Sequence, residues 1–156
     1  MSAEAQLAAK LAELGIAMPS APEPKGLYKS LVISGNLVYT SGHLPVDAAG
    51  KLMTGRVGAD LDVAAGTKAA QLAGLNILAS LRKALGSLDR VGRVVKILGV
   101  VNCTSEFTQQ PAVINGCSEL FADVFGREVG VGARSAVGTN TLPLGVPVEI
   151  EAVFEI

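Results

Sequence analysis

The chain ends in the sequence ARSAVGTNTLPLGVPVEIEAVFEI, residues 133–156. The first part of this stretch alternates between two faces, and Arg134, Ala136 and Gly138 share one of them. The last part alternates again and has one wholly apolar face, formed by Val148, Ile150, Ala152, Phe154 and Ile156. Such period-two patterns predict two strands that each cover one side of a core. Proline and glycine at residues 142–145 predict the turn between them.

The preceding sequence supplies the other elements of the fold. A short amphipathic helix is predicted to open the chain, and residues 30–41 are predicted to form a hairpin around Gly35-Asn36. Residues 63–85 carry leucines at helical spacing between two candidate caps, Asp62 and Gly86, which predicts a long helix with one buried face. Residues 93–102 are nearly continuous Val, Ile and Leu, which predicts a mid-sheet strand covered on both sides. A second main helix is predicted from Pro111 onward.

The predicted order is therefore α-β-β-α-β-α-β-β. We expect an α/β (α+β) sandwich, in which a mixed sheet carries two main helices on one face, with an N-terminal helix in addition. Pro19, Pro22 and Pro24 hold the backbone extended, so residues 1–25 are interpreted as an N-terminal helix and a proline-rich linker. Residues 26–156 are interpreted as a single domain. The leucines of the N-terminal helix, at positions 7, 11 and 14, are expected to seal the edge of this domain.

The composition argues against several classes of function. Thirteen Lys and Arg residues against 14 Asp and Glu give a net charge of -1. The chain therefore lacks the excess of basic residues that is typical of nucleic-acid-binding proteins. Two cysteines and one histidine cannot form a Cys/His metal site. The sequence has no uncharged apolar segment of the kind that forms a membrane span or a signal peptide, so we expect a soluble, cytoplasmic protein. With 49% hydrophobic and only 17% charged residues, we expect a homo-oligomer that covers part of its apolar surface.

Three charged residues on the last two predicted strands stand out as candidates for chemistry: Arg134, Glu149 and Glu151. Arg134 shares its face with small residues, which leaves room for a ligand, and a guanidinium can grip a small carboxylate with two parallel hydrogen bonds. The alternative is a structural ion pair between Arg134 and a glutamate across a hairpin, which is the more frequent arrangement. Glu149 and Glu151 share a face, so spacing alone does not choose between them.

This segment resembles the C-terminal signature of the RidA family, also called YjgF, UK-one-one-four or endoribonuclease L-PSP. The residues that carry the resemblance are Arg134-Ser135, Val137, Leu142-Pro143 and Val148-Glu149-Ile150-Glu151-Ala152. Further matches run in register upstream, at Gly26, Tyr28, Gly35-Asn36, Thr40-Ser41-Gly42 and Asn115. The resemblance covers residues 26–156, and the added N-terminal helix is similar to that of a longer subgroup of the family.

The resemblance implies a chorismate-mutase-like fold, assembled as a homotrimer with a pocket in each cleft between subunits and with no metal or organic cofactor. It implies hydrolysis of small reactive enamines and imines, of the 2-aminoacrylate type, to 2-oxo acids and ammonia. Arg134 would then bind the carboxylate of a small metabolite, and Glu149 would hold or activate the attacking water. The implied pocket lining is Tyr28, from the neighbouring subunit, with Ser41, Gly42, His43, Asn115 and Ala136.

Two residues depart from the family pattern. Ala136 stands where cysteine is frequent, and His43 stands where glutamine is common. His43 is either a proton carrier or a hydrogen-bonded bystander, and the second is more usual for a lone histidine at a strand end. The departures leave a non-catalytic carboxylate-binding or chaperone-like protein as an alternative, while the near-neutral charge argues against ribonuclease activity. We expect an adjacent arginine to lower the pKa of the catalytic carboxyl.

Overall fold

The computed structural model describes all residues, 1–156. Its helices are α1 (Ala3–Leu14), α2 (Val63–Leu85), α3 (Gln110–Phe125) and the single turn α4 (Arg127–Gly130), with short 3-10 turns at Leu88–Arg90 and Pro143–Gly145. Its strands are β1 (Leu31–Ser34), β2 (Leu37–Thr40), β3 (Arg93–Asn102), β4 (Ala133–Thr139) and β5 (Val148–Glu155). This confirms the predicted mixed α and β architecture and its element order, to which the structure adds α4.

The five strands form one mixed sheet in the order β1-β2-β5-β3-β4. β3 pairs with β4 in parallel, and the other neighbours are antiparallel. The last two strands of the chain are therefore not a hairpin, because β3 lies between them. This arrangement overturns the expected ion pair between Arg134 and a glutamate, which required β4 and β5 to be adjacent.

One face of the sheet packs against the helices and contains the core. The apolar face of β5 is buried as predicted, with Phe154 and Ile150 completely inaccessible to solvent. On β3, the residues that face the helices are buried, whereas Lys96, Leu98 and Val100 on the other face stay half-buried. The prediction that β3 is covered on both sides is therefore wrong for the single chain. We call this second face, which no helix covers, the open face.

Helix α2 forms the centre of the helical layer. Both predicted caps are confirmed: the Asp62 carboxylate accepts a hydrogen bond from the Ala65 N–H at 2.8 Å, and Gly86 ends the helix with φ of 83°. Residues 73–81 are buried all round the helix, so the prediction of a single buried face is wrong at its centre. Two polar side chains, those of Asn76 and Ser80, lie within this buried stretch.

Helix α1 is part of the core. Leu7 is completely buried in the same hydrophobic cluster as α2 and α3, and Leu11 packs against that cluster. The Lys10 ammonium lies 2.9 Å from the Asp123 carboxylate on α3, and this hydrogen bond raises the pKa of Lys10. The expectation that the leucines of this helix seal a hydrophobic edge of the domain is confirmed for Leu7 and Leu11. None of the helices is both long enough and apolar enough to cross a lipid bilayer.

Candidate functional site

Arg134 lies on the edge strand β4 and points toward α3. It pairs in register with Ile97 of β3, whose side chain faces the helices. Its Nη1 donates to the Asn115 Oδ1 at 2.7 Å and to the Ser118 Oγ at 3.2 Å. Both partners are uncharged, and no carboxylate lies within ion-pair distance of the guanidinium. The positive charge of Arg134 is therefore held in place but not neutralised.

The close approach of α3 to the sheet explains this arrangement. A side chain at Gly99 would come within 2.5 Å of Ile114, so only glycine lets α3 pack this closely on β3. Ala136 pairs with Gly99 and lies on the same face of β4 as Arg134. The Arg134 side chain therefore lies between β4 and α3, beside the small side chain of Ala136.

Glu149 lies at the start of β5 and borders a cavity of about 650 Å³. The cavity lies between the proline-rich linker, the segment after β2 and the turn before β5. It is lined by Glu149 together with four other residues that the sequence singled out: Tyr28, Ser41, Gly42 and His43. Pro143 and Leu144 form its wall on the side of the turn.

Serine hydroxyls hold the linker against this cavity. The Ser41 Oγ donates to the Lys29 carbonyl at 2.5 Å, directly after Tyr28 in the chain. The Ser30 Oγ donates to the Pro22 carbonyl at 3.2 Å. These bonds place Tyr28 beside the Glu149 of its own chain, with about half of the tyrosine surface exposed.

The candidate residues thus form two groups within one chain. Arg134, Asn115 and Ala136 lie on the helix side of the sheet, at its β4 edge. Glu149 pairs with Val100 of β3, which faces the open side, and β3 separates its strand from β4. Tyr28, Ser41, Gly42 and His43 accompany Glu149. A single chain therefore does not bring the cationic group and the carboxyl group together.

The ionisation of Glu149 differs from the expectation. Burial raises the pKa of the Glu149 carboxyl, and the nearby Glu151 carboxylate raises it further. The expected lowering by an adjacent arginine is wrong for the single chain, because Arg134 lies on the other face of the sheet. A carboxyl with a raised pKa is a stronger base than an ordinary one, which suits it to accept a proton from water.

His43 is buried and hydrogen-bonded through both ring nitrogens. Nδ1 lies 2.7 Å from the Ser41 carbonyl oxygen, and Nε2 lies 2.8 Å from the Ser80 Oγ on α2. Burial lowers the pKa of His43, and the bond to Ser41 opposes this shift only in part. The geometry favours the interpretation of His43 as a hydrogen-bonded residue rather than a proton carrier.

Sequence reasoning missed three residues next to these groups. Ser118 supports Arg134, and its position three residues after Asn115 puts both on one face of α3, so helical spacing could have identified it. Asn76 lines the Glu149 cavity from α2, and Ser80 holds His43. Asn76 and Ser80 carry no such signal, because a polar residue in an apolar helix does not reveal which element covers it.

Comparison with known proteins connects this arrangement to a family. Residues 8–151 match the family model described as "YjgF/chorismate_mutase-like, putative endoribonuclease". The chain belongs to this family. The match includes Arg134, Glu149 and the other candidate residues, and it begins within α1. The RidA-like resemblance of the sequence is thereby confirmed.

Individual relatives span almost the whole chain. The protein TCP17 of Trypanosoma cruzi is 46% identical over 154 residues, which cover 99% of this chain and 96% of the relative. A protein of unknown function from Agrobacterium tumefaciens has a crystal structure with a TM-score of 0.89 and 44% identity, covering 99% of this chain and 96% of that one. A 2-iminobutanoate/2-iminopropanoate deaminase of Dermatophagoides farinae is 31% identical over 142 residues, covering 90% of this chain and 94% of the relative.

Proposed function

We propose that this protein hydrolyses small enamines and imines that carry a carboxylate, and that it releases 2-oxo acids and ammonia. The observation that carries the proposal is the Arg134 guanidinium, which is oriented by Asn115 and Ser118 and has no anionic partner. A fixed and unneutralised guanidinium beside small residues is suited to a small carboxylate. The relative named as an imine deaminase supports the same chemistry.

The proposed reaction needs an anchored substrate, one water molecule and one proton carrier. An enamine takes up a proton at carbon, whereas an imine takes one up at nitrogen, and both give the protonated imine, which is electrophilic at carbon. Glu149 accepts a proton as water adds to that carbon, and the C–O bond forms while the C=N bond becomes single. Glu149 then returns the proton to nitrogen, and the C–N bond breaks as the hydroxyl oxygen forms the C=O bond and gives its proton to the Glu149 carboxylate, so that ammonia leaves. The raised pKa of Glu149 suits it to accept these protons.

We propose further that the site forms between subunits of a homotrimer. Arg134 and Glu149 lie on opposite faces of one sheet, so a pocket that uses both takes them from different chains. The open face carries exposed apolar side chains, among them Val32, Tyr39 and Val137. Apolar surface of this kind is typical of subunit interfaces. Sedimentation should give a particle of three times the 15.9 kDa chain mass.

The activity is tested by measuring ammonia and 2-oxo acid release from enzymatically generated 2-iminopropionate and from bulkier imino acids. Arg134→Ala should lower kcat/KM by roughly tenfold to a hundredfold, because a charged hydrogen-bonded contact contributes about 1.5–3 kcal/mol. Arg127→Ala removes an exposed arginine on α4 and should leave the activity unchanged. Absence of turnover with every substrate, or full activity in Arg134→Ala, would refute the proposal. Saturable, Arg134-dependent binding of 2-oxo acids without turnover would instead support the alternative, a non-catalytic carboxylate-binding protein.

The inter-subunit site is tested by mixing two variants that each have low activity. Arg134→Ala and Glu149→Gln are unfolded together in equal amounts and refolded, so that mixed trimers form. A pocket that takes Arg134 from one chain and Glu149 from another has both wild-type residues in about one quarter of random pairings. The mixture should therefore recover about a quarter of the wild-type activity. If both residues came from the same chain, no mixed pocket would be complete and the activity would stay at the level of the separate variants.

A further inference from the structure

His43 connects three parts of the structure next to Glu149. Its ring spans from the Ser41 carbonyl to the Ser80 hydroxyl on α2, and its backbone pairs with Ile150 of β5. The His43 N–H donates to the Ile150 carbonyl at 2.7 Å, and the Ile150 N–H donates to the His43 carbonyl at 3.1 Å. Ile150 directly follows Glu149, so the histidine is tied to the strand that carries the carboxyl group.

The hydrogen-bond partners assign the tautomer of this ring. A carbonyl oxygen only accepts, so Nδ1 carries the hydrogen and donates to Ser41. Nε2 is then the acceptor, and the Ser80 hydroxyl donates to it. The neutral ring has no free donor or acceptor on nitrogen for a substrate, and it is 3% exposed. A direct role in proton transfer would require both bonds to break.

The bond from the His43 ring to the Ser41 carbonyl closes over Gly42. Gly42 packs against the Glu149 side chain so tightly that an added Cβ would lie 2.8 Å from the glutamate Cγ and Cδ. Any movement of the Ser41-Gly42 backbone would therefore change the space available to the Glu149 carboxyl. We propose that His43 is a positioning residue, and that its link to Ser80 fixes Gly42 and thereby the Glu149 carboxyl.

A second polar side chain of α2 holds the same segment. Asn76 lies one turn before Ser80, and its Nδ2 donates to the Val46 carbonyl at 2.8 Å and to the Leu72 carbonyl at 2.9 Å. Its Oδ1 is buried without a partner, which is costly in a core. Asn76 and Ser80 are buried polar residues in an otherwise apolar stretch of α2, where apolar side chains would pack better. Their role is therefore to hold the loop after β2 rather than to stabilise the helix.

The inference rests on the proposed role of Glu149, and its test does not require turnover. The Glu149 carboxyl is followed by carbon-13 NMR titration of glutamate-labelled protein, and Glu149→Gln identifies its signal. The ionisable groups around it are Glu151 on β5, His43 on the loop, and Glu23, Lys25 and Tyr28 on the linker side of the cavity. The variants described below leave all of these groups unchanged, except those that replace His43 itself.

Ser80→Ala removes the donor to the His43 ring and leaves the ring itself. We expect Gly42 to loosen, water to reach the carboxyl and the pKa of Glu149 to fall toward its ordinary value. Where turnover is measurable, kcat should fall roughly tenfold to a hundredfold with little change in KM, because the Arg134 contact is intact. Thr67→Val is the matched control, since it deletes a hydroxyl hydrogen bond elsewhere on α2 and should change neither quantity.

Replacement of His43 itself provides the rescue experiment. His43→Leu keeps the bulk but loses both bonds and should lower the pKa of Glu149, whereas His43→Gln keeps a donor and an acceptor and should restore it. An unchanged Glu149 titration in folded Ser80→Ala and His43→Leu proteins would overturn the inference. A shifted titration in a protein that hydrolyses no imine would support the positioning role and refute the proposed function.

Discussion

A single methyl group at residue 42 should separate the activity of this protein from its stability. Gly42 has no side chain, and its backbone φ is not in the left-handed region, so alanine is compatible with its conformation. The added Cβ would lie 2.8 Å from the Cγ and Cδ of Glu149. Carbon atoms in ordinary contact are about 3.5–4.0 Å apart, so the Glu149 side chain must retreat by roughly 1 Å.

The size of the effect follows from this displacement. The obstructed group is a flexible side chain, so we expect only a small loss of folding stability. A catalytic group misplaced by about 1 Å can cost about a hundredfold in rate, equivalent to roughly 2.7 kcal/mol of transition-state stabilisation. Gly42→Ala should therefore lower kcat by about that factor in the ammonia-release assay, while the urea midpoint of unfolding changes little.

Two controls make this prediction specific. Gly92→Ala adds a methyl group whose nearest neighbour lies at 3.5 Å, an ordinary contact, and should leave kcat unchanged. In the Glu149→Gln background, Gly42→Ala should have almost no further effect, because the methyl group acts through the carboxyl that is already lost. Full activity in folded Gly42→Ala, or an equal loss in both backgrounds, would refute the reasoning.

Three further predictions concern stability. Leu7→Ala should destabilise the protein by about 2–5 kcal/mol in urea unfolding, because Leu7 is completely buried in the core shared with α2 and α3; a smaller loss would show that α1 is only loosely attached. Gly116→Ala should destabilise by about 1–3 kcal/mol or more, since a Cβ there would overlap the Thr67 carbonyl oxygen where α3 crosses α2; normal stability would contradict this packing. Glu149→Gln should stabilise the fold at neutral pH, because a carboxyl with a raised pKa opposes folding once it ionises. That gain should disappear when urea unfolding is measured at a pH well below the ordinary glutamate pKa of about 4.3, because the carboxyl is then protonated in both the folded and the unfolded state.

Much of the fold could be predicted because its signals are local. Asp62 and Gly86 bound α2 as the sequence predicts, since capping depends on a few adjacent backbone groups. The Gly35-Asn36 turn joins β1 and β2 with Ser34 opposite Leu37, because a two-residue loop determines its own register. The alternation of β5 likewise identified its buried face without knowledge of the neighbouring strands.

The pairing of β4 was not predictable in this way. The turn at residues 142–145 reverses the chain, but it does not determine which strand lies beside β4. β3 occupies that place, which moves Glu149 away from Arg134 and removes the expected ion pair. The predicted direction of the Glu149 pKa shift was wrong for the same reason, because the pKa depends on which groups are near in space. The polar residues of α2 escaped notice because the loop that covers them is distant in sequence.

In the proposed trimer, the insertion of β3 between β4 and β5 would also let one small sheet contribute to two pockets. Arg134 on the helix side lies beside the small side chain of Ala136, and Asn115 and Ser118 of α3 hold its guanidinium. Glu149 on the open face is held by Gly42 and His43, whose supports come from α2 through the end of the sheet. Each group is therefore positioned within its own chain before assembly. Under the proposed trimer, association joins two preformed halves, so the interface has to align them but does not have to order either one.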